Sequence, residues 1–278
     1  MTLERLEMNL FRGESRDIGS PQVFGGQVLG QALVAATATV DRGVVHSLHA
    51  YFLRRGDFNS PIVYEVDRAR DGNSFTTRRI VAIQHGAQIF NMSASFQVIE
   101  AGIDHQFAMP QVPPPEDLQE QAWHYRHVMD QLPDALRRVL ELKRPFEFRP
   151  VQSPSFLAPV KGPASRDVWF RAVAPLPDDE ALHRCLLAYV SDYDLLGTAL
   201  MPHGDLQDLR RLVIASIDHA MWFHRNVRVD DWLLYSTDSP SATGARGFAR
   251  GCIFSRDGRL VASTCQEGLL RVMGQKPV

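Results

Sequence analysis

A run of β-branched and aromatic residues at 211–225, without glycine or proline, is the stretch around which the chain is organised. This composition predicts a long central strand. Alternation along it places Ser216 and Asp218 on one face and His219 on the other. Polar side chains inside so apolar a strand are costly unless they are paired. We therefore expect any chemistry to lie here.

Alternating runs bounded by turn signals predict four strands in the first half of the chain. They follow a helix that begins near Gln27, and Asp71-Gly72 between two of them is a strong hairpin signal. The predicted strands are His46–Leu53, Ile62–Arg70, Ser74–Gln84 and Ala87–Val98. We expect an irregular segment over residues 1–24, then one helix, then an antiparallel meander.

The second half repeats this order after a proline-rich linker. A helix is expected from Ala181 to Leu196 behind an acidic N-terminal turn. The linker is expected to carry two polar helices, at Glu116–Asp130 and Leu132–Leu142. Further strands are predicted at Phe146–Val151, Asp167–Ala174, Asp231–Thr237, Gly244–Phe254 and Leu260–Arg271. The predicted domains are an N-terminal repeat (1–105), the linker (106–145) and a C-terminal repeat with the catalytic candidates (146–278).

Residue matches indicate that the two halves are an internal duplication. His49-Ala50 lies 170 positions before His219-Ala220, and Gln97 lies 169 positions before Gln266. One long helix wrapped by an antiparallel sheet is the hot-dog arrangement. The predicted fold class is therefore α+β, a double hot dog whose two sheets can join into one.

Asp192 is the strongest candidate for chemistry in the second predicted helix. It belongs to a stripe at helical spacing that is expected to face the sheet and comprises Leu182, Cys185, Tyr189, Asp192 and Leu196. A buried carboxylate needs hydrogen-bond donors, and the hydroxyl of Ser216 and the amide of Gln266 are candidates. The three together can hold a water, whose proton the carboxylate takes. The alternative is a buried polar network without turnover.

Asp218 and His219 are rivals to this trio. Because they are adjacent on a strand, they point to opposite faces and cannot form a simple dyad. A base role for Asp218 is the second choice, and His219 is interpreted as a core histidine. The glycines of Gly25-Gly26 allow close packing on a sheet, and their backbone N–H groups could also meet an anion or a carbonyl oxygen.

Composition excludes several other classes of function. The net charge of −2 argues against a nucleic-acid surface. Three cysteines without CxxC spacing suggest neither disulfides nor a zinc site. There is no GxSxG, GxxxxGK[ST] or HExxH motif, and nothing demands a cofactor. No run is long enough for a membrane span, and the start has no signal-peptide pattern.

Motifs along nearly the whole chain carry a family resemblance. They are Val23-Phe24-Gly25-Gly26-Gln27-Val28-Leu29-Gly30-Gln31-Ala32, His46-Ser47-Leu48-His49-Ala50-Tyr51-Phe52-Leu53, Ser191-Asp192-Tyr193, Ile217-Asp218-His219-Ala220-Met221-Trp222 and Gln266-Glu267-Gly268. The chain resembles the acyl-CoA thioesterase II family of double hot-dog enzymes. The resemblance implies hydrolysis of fatty acyl-CoA by a water that an Asp, a Ser or Thr, and a Gln position. By motif these are Asp192, Ser216 and Gln266.

The resemblance and the composition together give the remaining expectations. The C-terminal residues do not form a peroxisomal SKL-type tag, so a cytoplasmic enzyme is expected. Acyl-CoA is the expected partner, without cofactor or metal, and exposed sheet edges favour a homo-oligomer. Two alternatives stay open: an acyl-CoA hydratase or dehydratase that uses His219, and a non-catalytic acyl-CoA binding protein.

Overall fold

The computed structural model describes residues 1–19, 22–125, 144–152, 161–203 and 212–273, with the single residues 129, 137 and 142. The strands are β1 (Leu3–Glu7), β2 (Leu10–Gly13), β3 (Val44–Phe52), β4 (Ile62–Asp71), β5 (Phe75–Gln84), β6 (Ala87–Gln97), β7 (Phe146–Pro150), β8 (Ser165–Ala172), β9 (Leu212–Ser216), β10 (Asp218–Phe223), β11 (Leu233–Thr243), β12 (Arg246–Ser255) and β13 (Leu260–Val272). The helices are α1 (Gly25–Thr37), α2 (Gln121–Tyr125), α3 (Glu180–Ser191) and α4 (Gly197–Leu200).

These strands form one continuous sheet in the described part of the chain. Its order is β1-β2-β4-β5-β6-β3-β10-β13-β12-β11-β8-β7, and β9 also pairs with β13. Antiparallel pairing of β3 with β10, in which Leu48 lies opposite Met221, joins the two halves. Both residues are fully buried, so the junction is part of the core. The predicted joining of two sheets in a double hot dog is confirmed.

Two expectations for the first half were wrong. Residues 1–24 are not wholly irregular, because β1 and β2 form a hairpin whose second strand pairs with β4. Both strands are short and β1 is mostly exposed, so they leave little periodicity in the sequence. The meander is also incomplete, since β3 pairs with β6 and not with β4. This crossover frees the other edge of β3 for the pairing with β10.

Two glycines of α1, Gly26 and Gly30, pack against α3, whereas Gly25 lies between Asp192 and Phe52 of β3. A Cβ on Gly26 would overlap the carbonyl oxygen of Tyr189, and a Cβ on Gly30 would lie 3.1 Å from that of Cys185. Gly26 meets Tyr189, and Gly30, one turn later on α1, meets Cys185, one turn earlier on α3. The two helices are therefore antiparallel. Within the predicted stripe, Cys185 and Tyr189 therefore face α1 and not the sheet. Asp192 and Leu196 lie against β13, as expected.

The predicted central strand is interrupted at Ile217. Ser216 lies opposite Gly268 and Ala220 opposite Cys265, so four steps along β9–β10 match three along β13. The extra residue is a β-bulge, which changes the alternation of side chains. Asp218 completes the bulge, since its carboxylate accepts the backbone N–H of Glu267 at 2.7 Å.

The bulge overturns the predicted faces of the strand. Ser216 bonds Gln266, and His219 bonds Ser191 at the end of α3, so both side chains point to the helix-bearing side. The match between His49 and His219 also fails in three dimensions. His49 is exposed and lies opposite Ala220, whereas His219 is buried opposite Ala50.

The linker is less helical than expected within its described part. A 3-10 turn at Pro115–Asp117 and the five-residue α2 replace the first part of the predicted helix from Glu116. Asp130 and nearly all of the predicted helix 132–142 lie outside the described residues. The domain boundaries stay a prediction. No helix in the described ranges is long and apolar enough to span a membrane.

Because α1 and α3 are so close at Gly26, a larger side chain at this position should destabilise the fold. We expect Gly26→Ala to lower the free energy of unfolding by about 1–3 kcal/mol, because its Cβ would push on the backbone of α3. Urea unfolding measures this loss. Gly102→Ala is the matched control, since a Cβ there meets nothing within 4 Å. Equal stability of the two variants would contradict the close helix contact.

Candidate active site

Asp192 lies where the ends of the two long helices meet. It is the C-cap residue of α3, which ends at Ser191 and not at Leu196 as the sequence suggested. Because α1 runs antiparallel, its N-terminus lies at the same place, and a Cβ on Gly25 would be 2.8 Å from the Asp192 Oδ2 atom. The carboxylate thus meets the positive end of a helix dipole and its open backbone N–H groups.

Two strands bring the remaining polar groups to this carboxylate. The Nε2 atom of Gln266, on β13, donates to Asp192 Oδ1 at 2.6 Å and to Ser216 Oγ at 3.2 Å. The Ser216 hydroxyl and the backbone N–H of Gly26 also bond the carboxylate. Gln266 is buried, and the Asp192 side chain is 4% exposed. The structure therefore brings together the three residues that the sequence singled out.

Burial and hydrogen bonding act on Asp192 in opposite directions. Desolvation dominates and raises the pKa of the carboxyl to about 6, although bonds from Gln266, Gly26 and Ser216 each favour the ionised form. The carboxyl is thus ionised at neutral pH but is a stronger base than an exposed aspartate. This combination suits a group that takes a proton near pH 7.

A cleft of about 240 Å³ leads to this cluster. Gly25 and Ser216 line it together with the apolar side chains of Val28 and Phe90, and the exposed residues Arg54 and Arg55 lie on its rim. A larger cavity of about 920 Å³ lies elsewhere, beside the start of α3, and is lined mostly by charged residues. Its lining does not include any of the three clustered side chains. The small cleft reaches Ser216 directly, and its lining residue Gly25 lies against the Asp192 carboxylate.

Family models match both halves of the chain. The model described as acyl-CoA thioesterase matches residues 139–269, and the one described as acyl-CoA thioesterase N-terminal domain matches residues 12–97. The chain belongs to the acyl-CoA thioesterase II family.

Individual members of the family match over nearly their whole length. Acyl-CoA thioesterase 2 of Haemophilus influenzae is 44% identical over 98% of this chain and 95% of its own. Human acyl-coenzyme A thioesterase 8 is 42% identical over 99% and 88%. The crystal structure of an acyl-CoA thioesterase II from Mycobacterium marinum is 48% identical, covers 98% and 97%, and superposes with a TM-score of 0.81.

In this thioesterase-family chain the rival residues are held by other contacts. The carboxylate of Asp218 accepts the backbone N–H of Glu267 at the bulge, and the His219 ring contacts the Ser191 hydroxyl. His219 is fully buried, and desolvation lowers its pKa to about 3, so it is neutral. The interpretation of His219 as a core histidine agrees with this burial, although its Nδ1 atom has no hydrogen-bond partner among the described residues.

Sequence reasoning only partly anticipated two groups beside Asp192. The backbone N–H groups at Gly25-Gly26 were expected to be open to an anion or a carbonyl oxygen, and the anion that Gly26 bonds is a carboxylate of the same chain. Ser191 was quoted only as part of a motif, yet its hydroxyl contacts His219 at 2.9 Å. The sequence signal for both was weak: helix pairing across repeats is not visible in periodicity, and Ser191 is one of many small helix residues.

The raised pKa predicts a specific dependence of stability on pH. Between pH 4 and 7 the unfolded chain ionises Asp192, at a pKa near 3.8, before the folded chain does at about 6. Ionisation of Asp192 therefore lowers the free energy of unfolding as the pH rises from 4 to 7. We expect the unfolding free energy of Asp192→Asn, relative to the unsubstituted chain, to rise by about 2–3 kcal/mol from pH 4 to pH 7.

Urea unfolding of both proteins at several pH values measures this difference. Asp218→Asn is a comparison at a half-buried carboxyl, where burial also raises the pKa, so we expect a change of the same sign but of smaller size. The variant keeps an acceptor oxygen for Glu267. If the unfolding free energies of Asp192→Asn and the unsubstituted chain differ by the same amount at every pH, the pKa of Asp192 is not raised in the folded protein.

Proposed function

We propose that the cluster of Asp192, Ser216 and Gln266 hydrolyses the thioester bond of fatty acyl-CoA. The observation that carries the proposal is the buried carboxylate bonded to the Gln266 amide, which also bonds the Ser216 hydroxyl on the wall of a cleft. Membership of the acyl-CoA thioesterase family supplies the reaction class and the substrate. The assignment of roles to the three side chains rests on their geometry.

The reaction needs one water and one base. Asp192 takes a proton from water while the water oxygen attacks the thioester carbonyl carbon, which gives a tetrahedral oxyanion. The carbonyl then re-forms as the C–S bond breaks, and the thiolate of CoA leaves. The proton held by Asp192 passes to that sulfur, so the products are the free acid and the CoA thiol.

Ser216 and Gln266 hold the water in line. The Gln266 amide bonds both Asp192 and Ser216, which fixes the three groups relative to one another. A water that donates one hydrogen to the carboxylate and the other to the Ser216 oxygen keeps its lone pairs for attack on the carbonyl carbon. Holding reactants in such a geometry removes much of the entropic barrier of a bimolecular step. The source of oxyanion stabilisation near Gly25-Gly26 stays a prediction.

The rim of the cleft fits the anionic part of CoA. Arg54 and Arg55 are exposed there, and the guanidinium of Arg54 is held by the Gln88 carbonyl at 2.6 Å. Guanidinium groups bind phosphate oxygens through charge-assisted hydrogen bonds. The phosphates of CoA would then stay at the surface, while the thioester enters past Phe52 and Val28 towards Ser216.

Two alternative functions have less support. A hydratase or dehydratase would use His219, but this ring is fully buried and its Nε2 atom is bonded to Ser191. A non-catalytic binding protein would not require a carboxyl whose pKa is near neutrality beside the cleft. A cytoplasmic location and self-association, both expected from the sequence, stay predictions.

Replacing the base is the central test. We expect Asp192→Asn to lower kcat for palmitoyl-CoA by roughly 10²–10⁴-fold, the size of general-base catalysis, with little change in KM. CoA release followed with a thiol reagent measures this. In the unsubstituted chain kcat/KM should rise with pH to a plateau above about 6, because the base must be ionised.

Asp218→Asn is the matched control for that variant. It removes a carboxylate two positions from Ser216 but keeps the acceptor for Glu267, so its kcat should stay within about twofold of the unsubstituted value, as for a change without catalytic contact. Full turnover by Asp192→Asn, or an equal loss in both variants, would reject Asp192 as the base.

The role of the rim arginines is tested by the division between KM and kcat. We expect the double variant Arg54→Ala and Arg55→Ala to raise KM for acyl-CoA about tenfold with kcat nearly unchanged, because phosphate contacts bind ground state and transition state alike. Arg79→Ala, at an exposed position on β5 outside the cleft, is the control. A KM equal to that of the control would place the CoA phosphates elsewhere.

A further inference from the structure

His219 presents an unpaired nitrogen to the candidate base from inside the core. Its ring is fully buried, its Nδ1 atom has no hydrogen-bond partner among the described residues, and this atom lies 4.0 Å from Asp192 Oδ1. Buried polar atoms are nearly always paired, so an orphan beside a reacting group calls for a functional explanation. Neither the proposed proton transfer nor the fold uses this nitrogen.

A chain of hydrogen bonds decides which ring nitrogen carries the proton. The Ser191 hydroxyl donates to the carbonyl of Ala188 at 2.9 Å, so its oxygen is left as an acceptor. The His219 Nε2 atom lies 2.9 Å from that oxygen and therefore holds the ring hydrogen. In a neutral imidazole the other nitrogen, Nδ1, then carries a lone pair. That lone pair lies on the side of the ring that faces Asp192.

We propose that His219 is a positioning residue that stabilises the protonated form of Asp192 during turnover. The proposal deepens the hydrolytic function proposed above and rests on it. While Asp192 is ionised, the lone pair and the carboxylate oxygen make no bond at 4.0 Å. Once Asp192 has taken the proton of the water, its O–H can donate to Nδ1 after a movement of about 1 Å, which gives an ordinary hydrogen-bond distance. The bond exists only after proton abstraction, so it favours that step.

Few other groups titrate near this pair. The phenols of Tyr193, beyond the end of α3, and Tyr235, on β11, both feel the charge of Asp192, and burial raises the pKa of each far above neutrality. The remaining groups that face the carboxylate are the amide of Gln266, the hydroxyl of Ser216 and the N–H of Gly26, none of which titrates. Between pH 4 and 8 the acid limb of the reaction therefore reports on Asp192 and on its contact with His219.

Two matched variants separate the two ring nitrogens. Gln at position 219 can place an amide near the Nε2 position and keep the contact with Ser191, but it has no acceptor near the Nδ1 position. Asn can place its oxygen near the Nδ1 position but cannot reach Ser191. We expect His219→Gln to move the acid limb of kcat/KM about one unit lower and to lower kcat roughly tenfold, the effect of one hydrogen bond.

His219→Asn should keep the acid limb within about 0.3 unit of the unsubstituted enzyme even if it melts at a lower temperature, because it retains the acceptor. A structural role alone would affect stability in both variants and leave both pH profiles in place. Identical acid limbs in the unsubstituted enzyme, His219→Gln and His219→Asn would overturn the proposal.

A measurement without substrate keeps this test separate from the proposed hydrolysis. The pH-dependent stability difference between the unsubstituted chain and Asp192→Asn is measured again with His219→Gln present in both proteins. A lower pKa of Asp192 in that background should make the change between pH 4 and 7 smaller. An unchanged difference rejects the contact with His219 even if Asp192 is the base, whereas full activity of Asp192→Asn alone rejects the hydrolytic function itself.

Discussion

The burial of one carboxylate at the meeting point of two antiparallel helices is the constraint on which the site depends. Glycines on α1 allow its backbone to approach α3 so closely that the N-terminus of one helix caps the side chain that ends the other. A bulkier residue at position 26 would separate the helices and leave Asp192 either exposed to solvent or without its hydrogen bond from the backbone of α1. The same contact thus organises the core and adjusts the basicity of the candidate base.

The two halves share a fold but differ at the corresponding helix end. Beyond α3 lies the carboxylate of Asp192, whereas beyond α1 the buried guanidinium of Arg78 bonds both the hydroxyl and the carbonyl of Thr39. Arg78 also pairs with Asp71 on β4. A fixed positive charge in this position cannot take a proton from water, and it fills the space with a satisfied network. Within the described residues the first half therefore contributes support, and the second half holds the group that can act as a base.

Much of the architecture could be predicted, because it depends on local pattern. Turn signals such as Asp71-Gly72 placed most strand ends within a few residues, and the helical stripe correctly marked Asp192 as buried. What Cys185 and Tyr189 pack against could not be predicted, since the partner is a helix about 160 positions earlier in the chain. The bulge at Ile217 was also invisible, because a single extra residue leaves hydrophobic composition unchanged while it reverses the face of every following side chain. Strict alternation put Ser216 and His219 on opposite sides for this reason.

The pairing of β3 with β10 has a consequence for how such a chain can change over time. It fuses the halves into one sheet, so the backbone amide that steadies Asp192 comes from one repeat and the carboxylate from the other. Removing one repeat, or replacing it with a copy of the other, would therefore remove one of the groups that meet at Asp192. Because one polypeptide carries both halves, each half can hold different side chains at its helix end, while the shared β3–β10 junction requires the two halves to stay in contact.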